Sequence, residues 1–226
     1  MLEMKKVLVI AAHPDDEVLG VGGTIPLIRQ RGGSVTVLIV TDGSSAQYAE
    51  NPDMYSVKKS QMEEANRIMG TDDLVQWDLP DMRLDTLDHV DLTSKFSSFI
   101  SDGAFDSVFF HSDVDINLDH RIIYHAVSVA TRPTPEQKVK NILNYYVNSS
   151  TEWGGRTSNT MFLPNYFVDI SSSLDTKLSA MHAYQEELRE YPHPRSIKSI
   201  EHRAMVFGSE VGCCAAEPFH IVLSRT

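Results

Sequence analysis

Two short segments, about a hundred positions apart, hold most of the residues able to do chemistry. The first is His13-Pro14-Asp15-Asp16-Glu17, directly after an apolar run. His13 offers a borderline imidazole nitrogen and Asp16 a hard carboxylate oxygen, a combination suited to Zn²⁺, with Fe²⁺ and Co²⁺ not distinguished by ligand type alone. Two ligands from one turn require a third from elsewhere and leave a position for water, as in a catalytic site. The second segment, Asp113 to Arg121, reads DVDINLDHR. His120 within it is the natural third ligand, and Asp115 or Asp119 can fix its tautomer from behind. Asp15, beside two ligands, is the candidate general base, since a carboxylate next to an activated water can take its proton. Acidic residues also gather at helix starts merely to cap them. The case for a hydrolytic centre therefore rests on both segments together.

Such residues need elements to position them. Residues 7–12 and 35–41 are apolar runs suited to buried strands, with a helix expected between them over 17–30, which makes a βαβ unit. Helices follow over 56–70, 91–101, 122–131 and 174–188, with strands at 75–77, 107–111, 142–147 and 166–170. This alternation predicts an α/β three-layer sandwich with a mostly parallel, Rossmann-like sheet. Ligands bind beyond the carboxyl ends of such strands. Three strand ends carry chemistry: 13–16, Thr41-Asp42-Gly43, and 111–120. They should converge on one rim, flanked by polar loops over 44–55 and 149–165 that either shape substrate access or are idle. No repeat or linker divides the chain, so residues 1–226 read as one domain.

The 226 residues carry a net charge of −11, with no basic run that could track a phosphate backbone or an anionic membrane. No stretch approaches the roughly 18 apolar residues of a membrane span. The apolar start is too short for a secretory leader and ends in HPDDE. The two cysteines, Cys213 and Cys214, are adjacent; no structural disulfide is expected, and both read as small buried side chains in a reducing, cytoplasmic setting. Gly20-Val21-Gly22-Gly23 lacks the spacing of a dinucleotide loop and is read as close helix-to-strand packing.

AHPDDE after one strand with DINLDH after another resembles the PIG-L/LmbE family of zinc N-deacetylases. The likeness covers most of the chain, with lesser support from Thr41-Asp42-Gly43, residues 68–70, 177–185 and Ala216-Glu217-Pro218-Phe219. It implies an LmbE-like fold and a metal-dependent hydrolase that releases acetate from an N-acetylglucosamine-type amino sugar or its conjugate. It implies His13, Asp16 and His120 as zinc ligands, Asp15 as base, a small-molecule amino-sugar substrate, and assembly into homo-oligomers. The family pattern usually has a histidine where this chain has Asn117. An amide there can donate a neutral hydrogen bond to an oxyanion, worth roughly 3 to 4 kcal/mol, but no proton. The leaving amine then takes its proton from Asp15 acting twice, from His111, or from water. A usual arginine in the second helical region is replaced by Lys58 or Lys59, with Lys59 the expected substrate contact. Asp42 either meets a sugar hydroxyl or caps its turn; Arg195 either reaches an anionic group on the substrate or is solvated. Two rival readings remain: a zinc amidase for another N-acyl conjugate, and a non-catalytic sugar-binding module, the latter suggested by Asn117.

Overall fold

The apolar run before His13 forms β1 (Lys6–Ala11), whose side chains from Val7 onward are fully buried. In the computed structural model, residues 1–226 are described apart from 49, 52, 156, 158 and 159. After β1 come α1 (Asp16–Val21), α2 (Thr24–Gln30), β2 (Ser34–Thr41), α3 (Met54–Met69), β3 (Asp73–Leu79), α4 (His89–Gly103) and β4 (Ser107–His111). The chain continues through α5 (Leu118–Ala130), β5 (Asn141–Tyr145), β6 (Tyr166–Asp169), α6 (Leu174–Ala183), α7 (Ile197–Val211) and β7 (Ala216–Ser224). One sheet runs β3-β2-β1-β4-β5-β7-β6; its first five strands are parallel, and β7 pairs antiparallel with both neighbours.

Alternation along the strands builds a core on each face. Val7, Val9, Val35 and Val37 pack with α1, α2, α3, α6 and α7, whereas Leu8, Ile10, Leu38 and Phe110 pack with α4 and α5. This is the expected three-layer α/β arrangement with a mostly parallel sheet. Strand order reverses between β1 and β4, which pair from Val7↔Ser107 to Val9↔Phe109. The crevice beyond their carboxyl ends is the topological switch point, where ligands bind in such sheets.

Three departures from the sequence reading bear on the site. The helix expected over 17–30 is broken at Gly22-Gly23. The Glu217 carboxylate accepts the backbone N–H groups of Gly23 and Thr24 at 2.9 and 2.8 Å, starting α2 afresh. Close packing does explain the glycine-rich segment, since a Cβ at Gly23 would lie 2.8 Å from Ile170 and one at Gly20 2.2 Å from Tyr145. The helix expected to reach 188 ends at Ala183, because Tyr184 turns inward to donate to Glu17 at 2.6 Å. Neither α7 nor β7 was expected. Their junction, a surface turn, also corrects the cysteine reading: Cys213 is half-buried, Cys214 is exposed, and both are free thiols.

Candidate active site

The tight path from β1 into α1 sets the site. Asp15 has φ 122° and ψ −27°, a conformation costly for a residue with a Cβ. Several contacts enforce it. The Asp15 N–H donates to Glu17 Oε2 at 3.1 Å, while Glu17 Oε1 accepts from Tyr184 Oη and from Asn66 Nδ2. Pro14 packs against Gly43, where a Cβ would sit 2.4 Å from the proline ring. The Thr41-Asp42-Gly43 run is thereby explained. Thr41 Oγ1 donates to the Ala12 carbonyl at 2.8 Å, and Asp42 Oδ1 accepts from the backbone of Ser44 and Ser45. Gly43, at φ +63°, is the residue without a side chain that the proline requires.

This turn and the start of α5 bring His13, Asp16 and His120 together. His13 Nδ1 and His120 Nε2 each lie 3.2 Å from Asp16 Oδ2, and 3.4 Å from each other. Three ligands bonded at about 2.1 Å around a tetrahedral ion would be about 3.4 Å apart. The trio thus fits a divalent ion in both donor type and spacing. Carboxylates lie behind both imidazoles. Asp115 Oδ2 is 3.1 Å from His120 Nδ1 and also accepts from Thr151 Oγ1, while Ser150 Oγ donates to Asp115 Oδ1. Asp119 Oδ2 is 3.3 Å from His13 Nε2, with Asp81 Oδ1 at 3.5 Å. The two acids that sequence left as alternatives for one histidine therefore serve one each.

The electrostatics favour a cation. Burial pulls the His13 imidazolium down, but the Asp119, Asp16 and Asp81 carboxylates overcome it and hold the pKa at about 10. His120, also penalised by burial, is held at about 9 by Asp16 and Asp115. Burial would raise Asp16, yet the charge of His120 and the hydrogen bonds from His120 and His13 keep it well below the usual carboxylate range. Positive charge is stabilised where an ion would sit.

Asp15 differs from its neighbours. Its Oδ2 has no hydrogen-bond partner among the described residues although it is buried. Burial, opposed in part by Arg195, pushes its pKa up to about 6. A carboxylate poised near neutrality with an open oxygen has the properties of a general base.

The remaining expected residues fall in different places. Asn117 caps α5: its Oδ1 accepts the Asp119 N–H at 2.9 Å, which turns Nδ2 outward beside Met82 Sδ. Arg195 reaches the site, with Nη1 3.4 Å from Asp15 Oδ2 and Nε donating to Ser149 Oγ at 2.7 Å. Of the two lysines, Lys58 and not Lys59 comes to the centre; Lys58 is buried against Glu187, while Lys59 is exposed. Asp42 Oδ1 is occupied by its turn. His111 is fully buried, its Nε2 accepts the Ala12 N–H at 2.8 Å, and its ring stacks on His120 at 3.8 Å. Burial, with the charge of His120, keeps it neutral. It is a wall beneath a ligand, with no path for handing a proton to a substrate.

Residues 8–131 match the family model described as PIG-L, GlcNAc-PI de-N-acetylase, which is more than half of the chain. The chain belongs to the PIG-L family. A Bacillus cereus relative, a probable N-acetyl-alpha-D-glucosaminyl L-malate deacetylase, is 26% identical over 192 residues, covering 81% of this chain and 84% of the relative. Two solved structures superpose with a TM-score of 0.78. One is the N,N'-diacetylchitobiose deacetylase of Pyrococcus horikoshii, 22% identical over 98% of this chain and 85% of that one. The other is the 4-carboxy-2-hydroxymuconate hydratase of Pseudomonas putida, 18% identical over 99% and 98%. The same fold thus carries a deacetylase and a hydratase, so fold likeness alone does not decide the reaction. Among the described residues of this PIG-L chain, no helix is long and apolar enough to cross a membrane.

Sequence reasoning passed over Glu17, Asp81, Tyr184 and Glu187, all of which support the turn or the charges around it. Only Glu17 carried a signal, its place within HPDDE.

Proposed function

We propose that this chain is a metal-dependent hydrolase that removes the N-acetyl group from an N-acetylglucosamine-type amino sugar or its conjugate, yielding acetate and the free amine. One observation carries the reading: a trio of His13, Asp16 and His120 donors with 3.2 to 3.4 Å edges stands beside a strained, buried carboxylate with an open oxygen. Zn²⁺ is the proposed ion, and Fe²⁺ or Co²⁺ suit the same donors. Held by these three residues, it would supply Lewis acidity to the acetamide carbonyl and acidify the attacking water.

The protein's residues account for the protons. Asp15 Oδ2 accepts a proton from water as the water oxygen bonds to the carbonyl carbon. The Asn117 amide, expected to face the negative oxygen that forms, is committed to the α5 cap with its Nδ2 turned out to Met82, so stabilising that oxygen would fall to the ion held by His13, Asp16 and His120. Asp15 then returns the proton to the sugar nitrogen as the C–N bond breaks, and regains its starting charge. Asp15 acting twice is favoured because His111 is neutral and sealed. Arg195, beside the base, is the proposed contact for an anionic or hydroxyl group of the substrate. The free Cys213 and Cys214 thiols suit a reducing, cytoplasmic setting.

The amidase alternative is supported by the rim. Met82, beside Asn117, and Ile116 and Leu118, its neighbours in the chain, are exposed and suit a bulkier apolar group than acetyl. The test is acetate release from N-acetylglucosamine conjugates by metal-loaded protein, alongside Asp15→Asn and a panel of longer N-acyl groups. Acetate release that Asp15→Asn abolishes is expected. Equal rates in both proteins would end the base role, and preference for longer acyl groups would shift the reading to the amidase.

A further inference from the structure

The charges packed behind Asp15 form a connected chain. Glu187 lies just past α6, where its N–H bonds back to the Tyr184 carbonyl, and its carboxylate is buried. Its oxygens divide between two cations: Oε1 accepts from Lys58 of α3, and Oε2 from Nη1 of Arg195. That same Nη1 faces Asp15 Oδ2 at 3.4 Å but makes no hydrogen bond to it. Arg195 is fixed from its other side by Ser149, and the Lys58 ammonium sits over the Tyr48 ring at 5.0 Å. Asp15, Arg195, Glu187 and Lys58 therefore alternate in sign. An arginine beside a buried carboxylate ordinarily closes on it with paired hydrogen bonds. Here Glu187 takes the donor instead.

We propose that Glu187 is a positioning residue for the base. By engaging Arg195 and Lys58, it leaves Asp15 Oδ2 unbonded and open to a proton from water, with positive charge still nearby. The proposal rests on the reading of Asp15 as the general base. Without the Glu187 charge, Asp15 is the acidic partner of Arg195 left among the described residues, and Arg195 closes on it, occupying the oxygen that the reaction needs.

The experiment has a structural and a kinetic arm. A crystal structure of Glu187→Gln should show Arg195 hydrogen-bonded to Asp15 Oδ2 at about 2.9 Å. Its kcat should fall by about tenfold to a hundredfold, part of what a general base contributes, with KM within about threefold of wild type. The double variant Glu187→Gln/Arg195→Met should show a higher kcat at saturating substrate than Glu187→Gln, because the cation that blocks the base is gone, while its KM rises with loss of the Arg195 contact. A residue that merely stabilises the fold would instead make the double variant slower. If Glu187→Gln does not fold, Glu187→Met/Lys58→Met removes one buried charge of each sign and is read for the same closure. Arg195 remaining at its present separation, or a double variant no faster than the single, overturns the role. The structural arm reads this contact whether or not the wild-type protein releases acetate, so loss of the deacetylase reading and loss of the Glu187 role are separate results.

Discussion

Among the described residues, two lysine–glutamate pairs are buried, and they end differently. At the head of α2, Lys177 donates to Glu217 at 2.5 Å and to the Leu19 carbonyl at 2.7 Å. Glu217 also accepts from the backbone of Gly23 and Thr24 and from Thr24 Oγ1, so both its oxygens are engaged. The Lys58–Glu187 pair instead leads through Arg195 to Asp15, whose Oδ2 is left without a hydrogen bond in a strained turn. A fully satisfied buried ion cluster fixes elements in place. One that stops a hydrogen bond short holds a reactive group ready, at a cost in stability.

Substitutions should separate the two clusters. The largest effect is expected for Asp15→Asn, which keeps shape, tolerates positive φ and abolishes the base. Acetate release should drop by about a thousandfold, with an unchanged or raised melting temperature, because a buried charge whose Oδ2 lacks a hydrogen bond is removed. A large loss of stability together with activity would place Asp15 among the scaffold residues. Glu217→Ala should do the reverse, costing about 3 kcal/mol in urea unfolding, since it strands Lys177 and uncaps α2. Its activity per folded molecule should be kept. A selective loss of turnover would join the two clusters that the comparison holds apart.

The sequence announces these regions unequally. The βαβ core is legible because strands buried on both faces read as unbroken apolar runs, and β4 falls where the run 107–111 places it. The grouping of His13, Asp16 and His120 is legible because each half lies in a short local motif at a strand end. What supports them is not. Glu187, Ser149 and Tyr184 meet their partners across long sequence separations, and nothing adjacent to them marks it. β7 hides because Glu217, Pro218 and His220 interrupt its apolar pattern, with Pro218 a residue that strands seldom hold. The division of Asp115 and Asp119 between two histidines depends on side-chain directions that spacing leaves open.

Smaller effects test the site's supports. Asp115→Asn should weaken divalent-ion binding by about tenfold to a hundredfold, as measured by competition with a chromophoric chelator. Asp119→Asn should weaken it less, since Asp81 also faces His13 Nε2, while Asp115 is the one carboxylate facing His120 Nδ1 among the described residues. Equal losses would mean that the carboxylates act only through total charge.

The smallest effect should distinguish two glycines with left-handed backbones. Gly70 ends α3 at φ +76°, and a Cβ there would meet nothing within 4 Å. Gly70→Ala should therefore cost only the backbone penalty, about 1 kcal/mol. Gly43→Ala carries the same penalty and also drives a methyl group into Pro14, the residue that sets up the Asp15 turn. Its cost in urea unfolding should exceed that of Gly70→Ala, and ion affinity should fall as the ring moves His13 off its position. If both substitutions cost the same and leave ion binding unchanged, the turn is held by the Glu17 and Tyr184 contacts alone, and Gly43 would have no part in shaping the centre.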